Sequence, residues 1–349
     1  MYLLFFSTDP NLLAPGSRAQ RRVAGYGAFC AELRIVLFAR KRAKTHAIAP
    51  NVFVHPVCPR LRLLYFFAAY RAGRAIIARW REHLLDVRIA SQDPFETGLV
   101  GVLLARRMHV PLQVQVHTDV ASPYFRRGSV KNRVHVRVAR AVIARADCLR
   151  VVSRRIAQSL IAHGYPARPT TTLPIFVDAE ELACAPIKTD LHREHPGRAP
   201  ILLVMSRLTR EKNASIAIGA LAQVRQTYPQ ALLFIVGEGP ELKNLRQTVH
   251  DLRLEKHVMF KPWTDDVASY YKSADVFLAA SDYEGYGLAI VESLVCGTPV
   301  VATDVGIASE MIKNGENGFV VPVGDANAFA RAVLQAVQKK DVLRVRPPH

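Results

Sequence analysis

Two glutamates with seven residues between them frame the segment EGYGLAIVE, which follows a predicted strand and runs into a predicted helix. Glu284 stands in the loop that opens the helix, and Glu292 stands on the helix beside an apolar stripe. A carboxylate next to apolar surface needs hydrogen-bond donors, because burying it unpaired is costly, and a bound diol supplies them. The alternative is an exposed helical glutamate. The apolar stripe consists of Leu288, Val291 and Val295.

A group of cations follows the apolar run ILLVMS, which predicts the first strand of the second half of the chain. Arg207, Arg210 and Lys212 stand just before a helix that is predicted to begin near Asn213. Cations at the start of a helix oppose its dipole, so this group favours an anion-binding site. The alternative is a solvated surface turn, and we assign Arg210 to it.

Other motifs exclude several classes of protein. VGEGPE follows the apolar run ALLFI and places Gly237 and Gly239 at a strand-to-helix turn. Because the third glycine of a dinucleotide-binding fingerprint is missing, we interpret this turn as an element of the fold. The sequence has no Walker motif, HExxH motif or CxxC pair, so a nucleoside triphosphatase, a zinc protease and a zinc ribbon lack support.

Residues 201–337, which contain both the glutamates and the cations, resemble the donor-binding half of the family 4 retaining glycosyltransferases. The resemblance lies in the spacing of the two glutamates and in the arginine and lysine that precede them. It implies the GT-B architecture, an α/β fold of two facing Rossmann-like domains with parallel sheets and helices on both faces.

The resemblance also implies roles for individual residues. Glu284 would bond a hydroxyl group of the transferred sugar and would be a catalytic residue, whereas Glu292 would hold the nucleotide ribose. Arg207 and Lys212 would bind the donor diphosphate. Backbone amides at the start of the helix would face the sugar and diphosphate, in line with the anion affinity of a helix N-terminus. These amides belong to Tyr286, Gly287 and Leu288.

Strand-like and helix-like runs alternate in the first half, which predicts a second parallel sheet. QDPFETG and HTD each follow a predicted strand, at the carboxyl edge where open α/β folds bind ligands. In the resembled family a histidine at the second place approaches the transferred sugar, so His117 is the catalytic candidate of this half. Two interpretations remain open for Asp93, Glu96 and Asp119. These residues either contact the acceptor or the donor, or they cap helices. The runs are YLLFFST, VRIAS, LQVQVHT and CLRVVS for strands, and ARAVIARAD and RRIAQSLIAHG for helices.

Three segments depart from the resembled family. The loop LAPGSRAQRR has one glycine where the family has a pair near the donor phosphate, which makes Gly16 the candidate phosphate or acceptor contact. LPIFVD stands where the family often has an asparagine–glycine turn. The chain ends in DVLRVRPPH where the family continues into a helix that crosses back to the first domain, so we expect looser domain closure. Closure excludes water from such sites.

Length and composition predict two domains, because 349 residues, half of them hydrophobic, suffice for two cores of ordinary size. The segment 179–199 is polar and contains prolines, which predicts an interdomain linker. The predicted organisation is a basic Rossmann-like acceptor-side domain over 1–178, this linker, a Rossmann-like nucleotide-sugar domain over 200–340 and a tail over 341–349.

The positive charge of the chain is concentrated in one part. Residues 1–200 hold 31 Lys and Arg against 13 Asp and Glu, whereas residues 201–349 hold 16 of each, so the net charge of +18 lies in the first part. Such a charge favours contact with anionic lipid headgroups or nucleic acid. PRLRLLYFFAAYRAGRAIIARWREHLL, with six arginines, is predicted to pack on the sheet of its own domain or to lie in a membrane interface, and we favour packing.

Targeting signals and cysteines favour the cytoplasm. MYLLFFSTDPNLL lacks the features of a cleavable signal peptide, and the longest apolar run, LLYFFAAY, is too short to span a bilayer. An odd, scattered set of cysteines is typical of buried thiols in a reducing compartment. We expect a cytoplasmic protein, with the inner face of the membrane as a candidate contact. The cysteines are Cys30, Cys58, Cys148, Cys184 and Cys296.

Together with these observations, the resemblance implies a retaining glycosyltransferase that moves a sugar from a nucleotide-diphosphate donor to a hydroxyl acceptor, and we expect lipid-linked or cell-surface glycan synthesis. No metal motif is evident, and the resemblance implies that side-chain cations replace a divalent ion at the diphosphate, so no metal or cofactor is expected besides the nucleotide sugar. The alternatives are a relative that binds nucleotide without turnover, a basic protein that binds anionic surfaces, and a different enzyme of the same architecture, such as a nucleotide-sugar epimerase or a phosphorylase. Nucleic acid is not an expected partner, since the aromatic interleaving of RNA-binding platforms is thin.

Overall fold

The computed structural model describes residues 1–61, 64–82 and 86–343, without the side chain of Arg18. The chain divides into two compact units, one over Met1–Leu173 and a second that begins at Pro174. Each unit contains a predominantly parallel sheet and helices, which confirms the predicted α/β fold class.

The first unit follows the predicted alternation of strands and helices. Its strands are β1 (Tyr2–Ser7), β2 (Glu32–Phe38), β3 (His46–Ala49), β4 (Val52–Val57), β5 (Val87–Ser91), β6 (Leu112–Val116), β7 (Cys148–Val151) and β8 (Thr170–Thr172). Its helices are α1 (Arg18–Tyr26), α2 (Tyr65–Arg81), α3 (Glu96–Met108), α4 (Pro123–Gly128), α5 (Val130–Ile143) and α6 (Arg154–Ala162). All the strand runs and helix runs singled out in the sequence therefore form elements of the predicted type.

The strands of the first unit form one sheet in the order β3-β4-β2-β1-β5-β6-β7-β8, in which only β3 runs antiparallel to its neighbour. The chain reverses its direction of winding between β1 and β5. In open α/β sheets such a reversal leaves a crevice at the carboxyl ends of the two strands, where ligands bind. The loops that begin at Thr8 and Gln92 stand at this place.

Helix α2 packs on the sheet of its own unit, as we favoured from the sequence. Ile77 and Trp80 are buried, and a Cβ atom added to Gly73 would lie 2.7 Å from Leu104 and 2.8 Å from Phe6. The glycine therefore allows the helix to approach its neighbours closely. The opposite face of α2 is exposed. Residues 62–63 and 83–85 of the same segment lie outside the described residues.

The second unit is also an alternating α/β unit. Its strands are β9 (Ile201–Met205), β10 (Leu232–Val236), β11 (Val258–Lys261), β12 (Val276–Ala279), β13 (Val300–Thr303) and β14 (Gly318–Val321). Its helices are α7 (Ala179–Cys184), α8 (Leu191–Glu194), α9 (Ala214–Thr227), α10 (Leu242–Asp251), α11 (Val267–Ser273), α12 (Leu288–Val295), α13 (Ala308–Met311), α14 (Ala326–Gln338) and α15 (Lys340–Leu343).

The sheet of the second unit is entirely parallel, in the order β11-β10-β9-β12-β13-β14. Every residue of β9 and β10 is buried, as expected for strands that are covered on both faces. The direction of winding reverses between β9 and β12, as in dinucleotide-binding folds. The loops after these two strands contain the cations and the first glutamate that we singled out.

The segment 179–199, predicted as a linker, contains α7 and α8. The backbone N–H of Lys188 donates a hydrogen bond of 2.8 Å to Ser269 Oγ, and Lys272 Nζ donates one of 2.8 Å to the carbonyl of Ala183. These bonds tie the segment to α11 of the second unit. The predicted domain limits remain a prediction. Of the predicted tail, residues 341–343 belong to α15, and residues 344–349 lie outside the described residues.

Candidate functional site

Hydrogen bonds join the loop after β9 to the loop after β12, where the winding of the second sheet reverses. The backbone N–H of Asp282 donates to the carbonyl of Glu211 at 2.8 Å, and Asn213 Nδ2 donates to Asp282 Oδ1 at 2.9 Å. Asn213 adopts a left-handed conformation with φ 47°, and α9 begins immediately after it, as predicted. The loop after β9 and the loop after β12 are therefore held together by groups on both sides.

Lys212 and Glu284 form the centre of this arrangement. Lys212 Nζ donates a charge-assisted hydrogen bond to Glu284 Oε1, and Ser281 Oγ donates to the same oxygen at 2.8 Å. Both charged side chains are 17% exposed. Thr303 Oγ1 donates at 2.5 Å to the carbonyl of Ser281, which fixes the start of the loop. The structure thus brings together two residues that the sequence placed in one site.

The other cations of the first loop are more exposed. Arg207 is 77% exposed, and its nearest recorded carboxylate atom is Glu211 Oε1 at 3.8 Å. Arg210 is exposed as well, in agreement with its assignment to a solvated turn. Only Lys212 of the three cations is packed into the meeting point of the two loops.

Glu292 lies on α12, as predicted, and its carboxylate accepts a hydrogen bond of 3.2 Å from Tyr271 Oη. The Tyr271 side chain is fully buried. Burial, followed by the charge of Glu292, raises the pKa of Tyr271 well above its ordinary value, so the phenol remains a donor. The sequence analysis did not identify Tyr271 as a site residue. The sequence shows only that this tyrosine lies on an apolar helix next to β12.

The predicted apolar stripe of α12 is wrong at Leu288. This side chain is 39% exposed, whereas Ile290 and Val291 are buried. The helix begins after Gly287, whose φ of 94° turns the chain and shifts the buried face toward Ile290. Leu288 therefore contributes a backbone amide at the helix start and no core side chain.

The start of α12 presents backbone donors. Within the described parts of the chain, no hydrogen-bond acceptor is recorded for the backbone N–H groups of Tyr286, Gly287 and Leu288. Such groups at the N-terminus of a helix attract anions. The donors lie in the same loop as Glu284, directly before the helix that carries Glu292.

Gly306, in the loop after β13, lies against the backbone of the loop that carries Glu284. The carbonyl of Tyr286 accepts a bond of 2.7 Å from the backbone N–H of Ile307. A Cβ atom added to Gly306, which has φ 56°, would lie 2.4 Å from that carbonyl oxygen and 3.0 Å from the Cβ atom of Glu284. The sequence analysis missed Gly306, although a glycine shortly after the strand VVAT is a signal of close approach.

In the first unit, a cavity of about 630 Å³ lies at the reversal of the sheet. Residues at the ends of β1, β5 and β6 line it, among them Thr8, Gln92, Asp93 and His117. This volume falls within the range of small-molecule sites. The candidate His117 therefore lies in a cavity at the expected edge of the first sheet.

The environment of His117 defines its protonation. Its Nε2 atom lies 2.9 Å from Gln115 Oε1, which can only accept, so Nε2 carries the hydrogen. Burial, with the charges of Arg150 and Arg22, lowers the pKa of His117 to about 4. The ring is then neutral near pH 7, and Nδ1 is a hydrogen-bond acceptor. Gln115 was not recognised in the sequence, because it lies within a strand.

Asp93 and Asp119 have different surroundings. Asp93 lines the cavity and accepts a bond of 2.8 Å from the backbone N–H of Phe95, and burial raises its pKa to about 6. Asp119 Oδ1 accepts from Ser159 Oγ at 2.8 Å and from the backbone N–H of Ser122 at 3.1 Å. Both aspartates thus accept a backbone N–H in the turn before a helix, and Asp93 in addition lines the cavity, so its contact with a ligand remains a prediction.

Glu96 and Gly16 have local partners. Glu96 lines the cavity at the start of α3, with His135 Nε2 at 3.4 Å. Gly16 is exposed, has φ 71°, and donates its backbone N–H to Gln20 Oε1 at 3.1 Å, in the turn before α1. The role of Gly16 as a phosphate or acceptor contact remains a prediction.

The cysteines, metal ligands and hydropathy add three observations. Cys296 is buried, which raises its pKa to about 11, but Cys184 is exposed, so the prediction of buried thiols is wrong there. Across the described residues, no group of three or more His, Cys, Asp and Glu side chains is arranged to hold a metal ion. Within the same ranges, every helix is too short or too polar to cross a bilayer.

Comparison with known families agrees with both units. The family model described as "Glycosyl transferase 4-like domain" matches residues 14–175, and that described as "Glycosyl transferases group 1" matches residues 189–346. The chain belongs to the group 1, family 4 glycosyltransferases. The resemblance inferred from the two glutamates and the preceding cations is thereby confirmed for this glycosyltransferase family.

Individual relatives in the family cover different shares of the chain. The lipopolysaccharide core biosynthesis glycosyltransferase LpsE of Rhizobium meliloti is 37% identical over 142 residues, which are 41% of this chain and 41% of LpsE. N-acetyl-alpha-D-glucosaminyl L-malate synthase of Bacillus anthracis is 28% identical over 308 residues, 86% of this chain and 78% of the synthase. The chain thus spans less than half the length of the first relative.

Solved glycosyltransferase structures share the fold. The Anabaena protein HepE, solved in complex with UDP-glucose, superposes with a TM-score of 0.76 at 22% sequence identity. The superposition covers 99% of this chain and 93% of HepE. At this identity the similarity establishes the GT-B fold class alone.

Proposed function

We propose that this protein is a retaining glycosyltransferase that moves a sugar from a nucleoside-diphosphate donor to a hydroxyl group of a glycan or lipid-linked acceptor. The observation that carries the proposal is the meeting of Lys212 and Glu284 beside the amides that open α12. Cation, carboxylate and amide donors supply in one place what a diphosphate and a sugar hydroxyl require.

In the proposed reaction, the second unit binds the donor. Lys212 and the amides before α12 stabilise the charge that develops on the leaving diphosphate. Arg207, which is exposed in the same loop as Lys212, is proposed to join them. Glu284 positions the sugar by accepting a bond from one of its hydroxyl groups, and Glu292 accepts bonds from the ribose.

The proposed chemistry needs no nucleophile from the protein. The acceptor oxygen attacks the anomeric carbon on the face from which the diphosphate departs, the bond to the leaving oxygen breaks, and a phosphate oxygen takes the proton of the acceptor. Retention at the anomeric carbon follows from this shared face. Because side chains and amides neutralise the diphosphate, we propose turnover without a metal ion, and activity in excess EDTA tests this point.

One solved structure and one relative support the proposed classes of donor and acceptor. HepE was solved with UDP-glucose, and LpsE is named for lipopolysaccharide core biosynthesis. By analogy, we propose a nucleotide-sugar donor and an acceptor used in surface glycan synthesis. The panel of nucleotide sugars described below identifies the base and the sugar of the donor.

We further propose peripheral contact with the inner face of the membrane. The net charge of +18 lies in residues 1–200, and α2 exposes Phe67 beside Arg71 and Arg74. Exposed aromatic and basic residues on one helix face favour an anionic lipid interface. Flotation with anionic vesicles at low salt tests this contact, and failure to float contradicts it.

The transfer itself is tested with purified protein, a panel of UDP-, GDP- and ADP-sugars and a mixed lipid and glycan acceptor extract. We expect one donor to be consumed only when acceptor is present, with an anomeric configuration in the product that matches the donor by NMR. Consumption without acceptor, or inversion of the anomeric carbon, contradicts the proposal.

A further inference from the structure

The cavity of the first unit, at the carboxyl ends of β1, β5 and β6, has an interior that suits a sugar. Asp93 and the unprotonated Nδ1 atom of His117 provide acceptors for hydroxyl groups. Phe38 and Tyr65 line another side with nearly parallel rings, 6.0 Å apart between centroids and inclined by 18°. A few polar groups among aromatic rings are the usual composition of a small-molecule site.

The aromatic side is held in place. The hydroxyl group of Tyr65 donates a hydrogen bond to the carbonyl of Ala39, at the end of β2. Phe66 follows Tyr65 in α2 and also lines the cavity. Rings fixed in this way offer apolar faces to the C–H groups of a sugar without a large loss of side-chain entropy.

The solvent-facing part of the same cavity is basic. Arg40 and Lys131 both line it and are exposed. Arg40 belongs to the segment 39–45, ARKRAKT, which carries four cations and no acidic residue at the carboxyl end of β2. In the described parts of the chain, no ion pair is recorded between any of these cations, or Lys131, and a carboxylate.

The cavity is lined by two carboxylates, of which one lies at its solvent-facing part. Asp93 is half-buried and accepts the backbone N–H of Phe95, whereas the side chain of Glu96 is 57% exposed, with His135 Nε2 at 3.4 Å. The two exposed cations of the lining outnumber this single exposed carboxylate, so the solvent-facing part of the lining keeps a net positive charge. A neutral sugar would use the inner part alone, whereas a sugar with an attached anion would use both parts.

We propose that this cavity binds an acceptor whose sugar carries a phosphate group. The sugar contacts Asp93, His117 and the aromatic side, and the phosphate or phosphodiester contacts Arg40 and Lys131. The inference rests on the proposed function, and it names the acceptor class for that reaction. Arginine and lysine are the side chains best suited to phosphate, by bidentate contact and as a point charge respectively.

The phosphate has two possible sources, a soluble sugar phosphate and the headgroup of a lipid. The soluble source is probed with glucose and glucose 6-phosphate by calorimetry and ligand-observed NMR. The lipid source is probed with vesicles of phosphatidylcholine that contain phosphatidylinositol or a neutral glycosyl diacylglycerol, which both carry a ring of hydroxyl groups but differ in the anionic phosphodiester. At least one phosphate-bearing probe is expected to bind about tenfold more tightly than its counterpart.

The decisive variants remove the two cations together. In the Arg40→Ala/Lys131→Ala variant we expect the preference for the phosphate-bearing probe to fall about tenfold, because two partly exposed contacts are lost. The Arg106→Ala/Arg107→Ala variant is the matched control, since it removes two exposed charges from the end of α3, away from the carboxyl edge of the sheet. This control is expected to keep the preference.

Nucleotide binding to the same variants separates this inference from the proposed function. The double variants are expected to bind UDP or GDP as the original protein does, because the predicted nucleotide contacts belong to the second unit. If no phosphate-bearing probe exceeds its counterpart, or if the preference survives Arg40→Ala/Lys131→Ala, the inference is overturned while nucleotide binding stands. Failure of the original protein to bind any nucleotide contradicts the proposed function instead.

Discussion

Lys212 donates a hydrogen bond through Nζ to Oε1 of Glu284, across 72 positions of the chain, and so joins the loop after β9 to the loop after β12. Both side chains are largely buried at the reversal of the second sheet. The cation proposed for the donor diphosphate and the carboxylate proposed for the donor sugar are therefore partners of each other. In the proposed complex, the donor has to share this bond or replace it.

The first prediction distinguishes the role of Lys212 in donor binding from that of Glu284. Lys212→Ala is expected to weaken UDP, GDP or ADP binding about tenfold or more, because a charge-assisted contact is lost and Glu284 is left without its cation. Glu284→Gln is expected to keep or improve binding of the bare nucleotide, since Lys212 is released, but to weaken binding of the nucleotide sugar. Calorimetry with nucleotide and nucleotide sugar measures both.

Lys243→Ala, on the exposed side of α10, is the control for charge removal and should leave both affinities unchanged. Equal weakening of nucleotide and nucleotide sugar by Glu284→Gln contradicts the role of Glu284 at the sugar.

The second prediction concerns Tyr271, which holds the carboxylate of Glu292. Tyr271→Phe removes one hydroxyl group from a fully buried ring, so Glu292 loses a positioning bond. We expect nucleotide affinity to fall about threefold to tenfold, in line with one hydrogen bond. Tyr270→Phe is the matched control, because Tyr270 is buried next to it and, among the described residues, no bond from its hydroxyl group is recorded. Equal effects of the two substitutions refute a positioning role.

The third prediction tests the close approach at Gly306. Gly306→Ala places a Cβ atom 2.4 Å from the carbonyl of Tyr286, so the loop that carries Glu284 must move. Nucleotide-sugar binding is expected to fall by about tenfold or more. Gly315→Ala also has a positive φ, but its Cβ atom meets nothing within 4 Å. If Gly315→Ala weakens binding as much, backbone strain and not the close approach is responsible.

The fourth prediction follows from the pKa of His117, which burial lowers from 6.5 to about 4. A lowered pKa means that the unfolded state binds the proton more readily. The stability that the neutral ring contributes is complete above pH 6.5 and is lost as pH falls toward 4. When the pH is lowered from about 7 to about 4.5, the free energy of unfolding should therefore fall by about 2 kcal/mol less in His117→Gln than in the original protein.

Urea unfolding of the original protein, His117→Gln and the exposed control His250→Gln measures this difference, with the histidine Cε1–H resonances as a direct titration. Asp93 acts in the opposite direction, because its raised pKa of about 6 removes stability as pH increases through that value. A His117 resonance that titrates near pH 6.5 contradicts the buried, neutral ring.

Local patterns were sufficient for the elements and for the positions of several candidates. Glu292 on its helix, Glu284 in the loop before it and the start of α9 after Asn213 follow from apolar runs and capping residues, which are local signals. Because parallel strands bring their carboxyl ends to one edge, the sequence also placed His117 at a ligand edge.

The partners of these residues were not predictable, because they depend on register between distant segments. Gln115, two positions before His117, is unremarkable within a strand until its side chain is seen against the ring. Tyr271 and Gly306 contact the site from other loops and helices. The error at Leu288 has a local cause, since the positive φ of Gly287 changes the face that α12 buries.

The central claim is that the second unit binds a nucleoside diphosphate at the carboxyl ends of β9 and β12. Equilibrium binding of UDP, GDP and ADP to the purified protein and to Glu292→Ala tests it most directly. We predict micromolar binding of one nucleotide, weakened by about 1 to 3 kcal/mol in the variant, because charge-assisted bonds to the ribose are lost. Absence of binding by the original protein, or equal affinity of Glu292→Ala, contradicts the account.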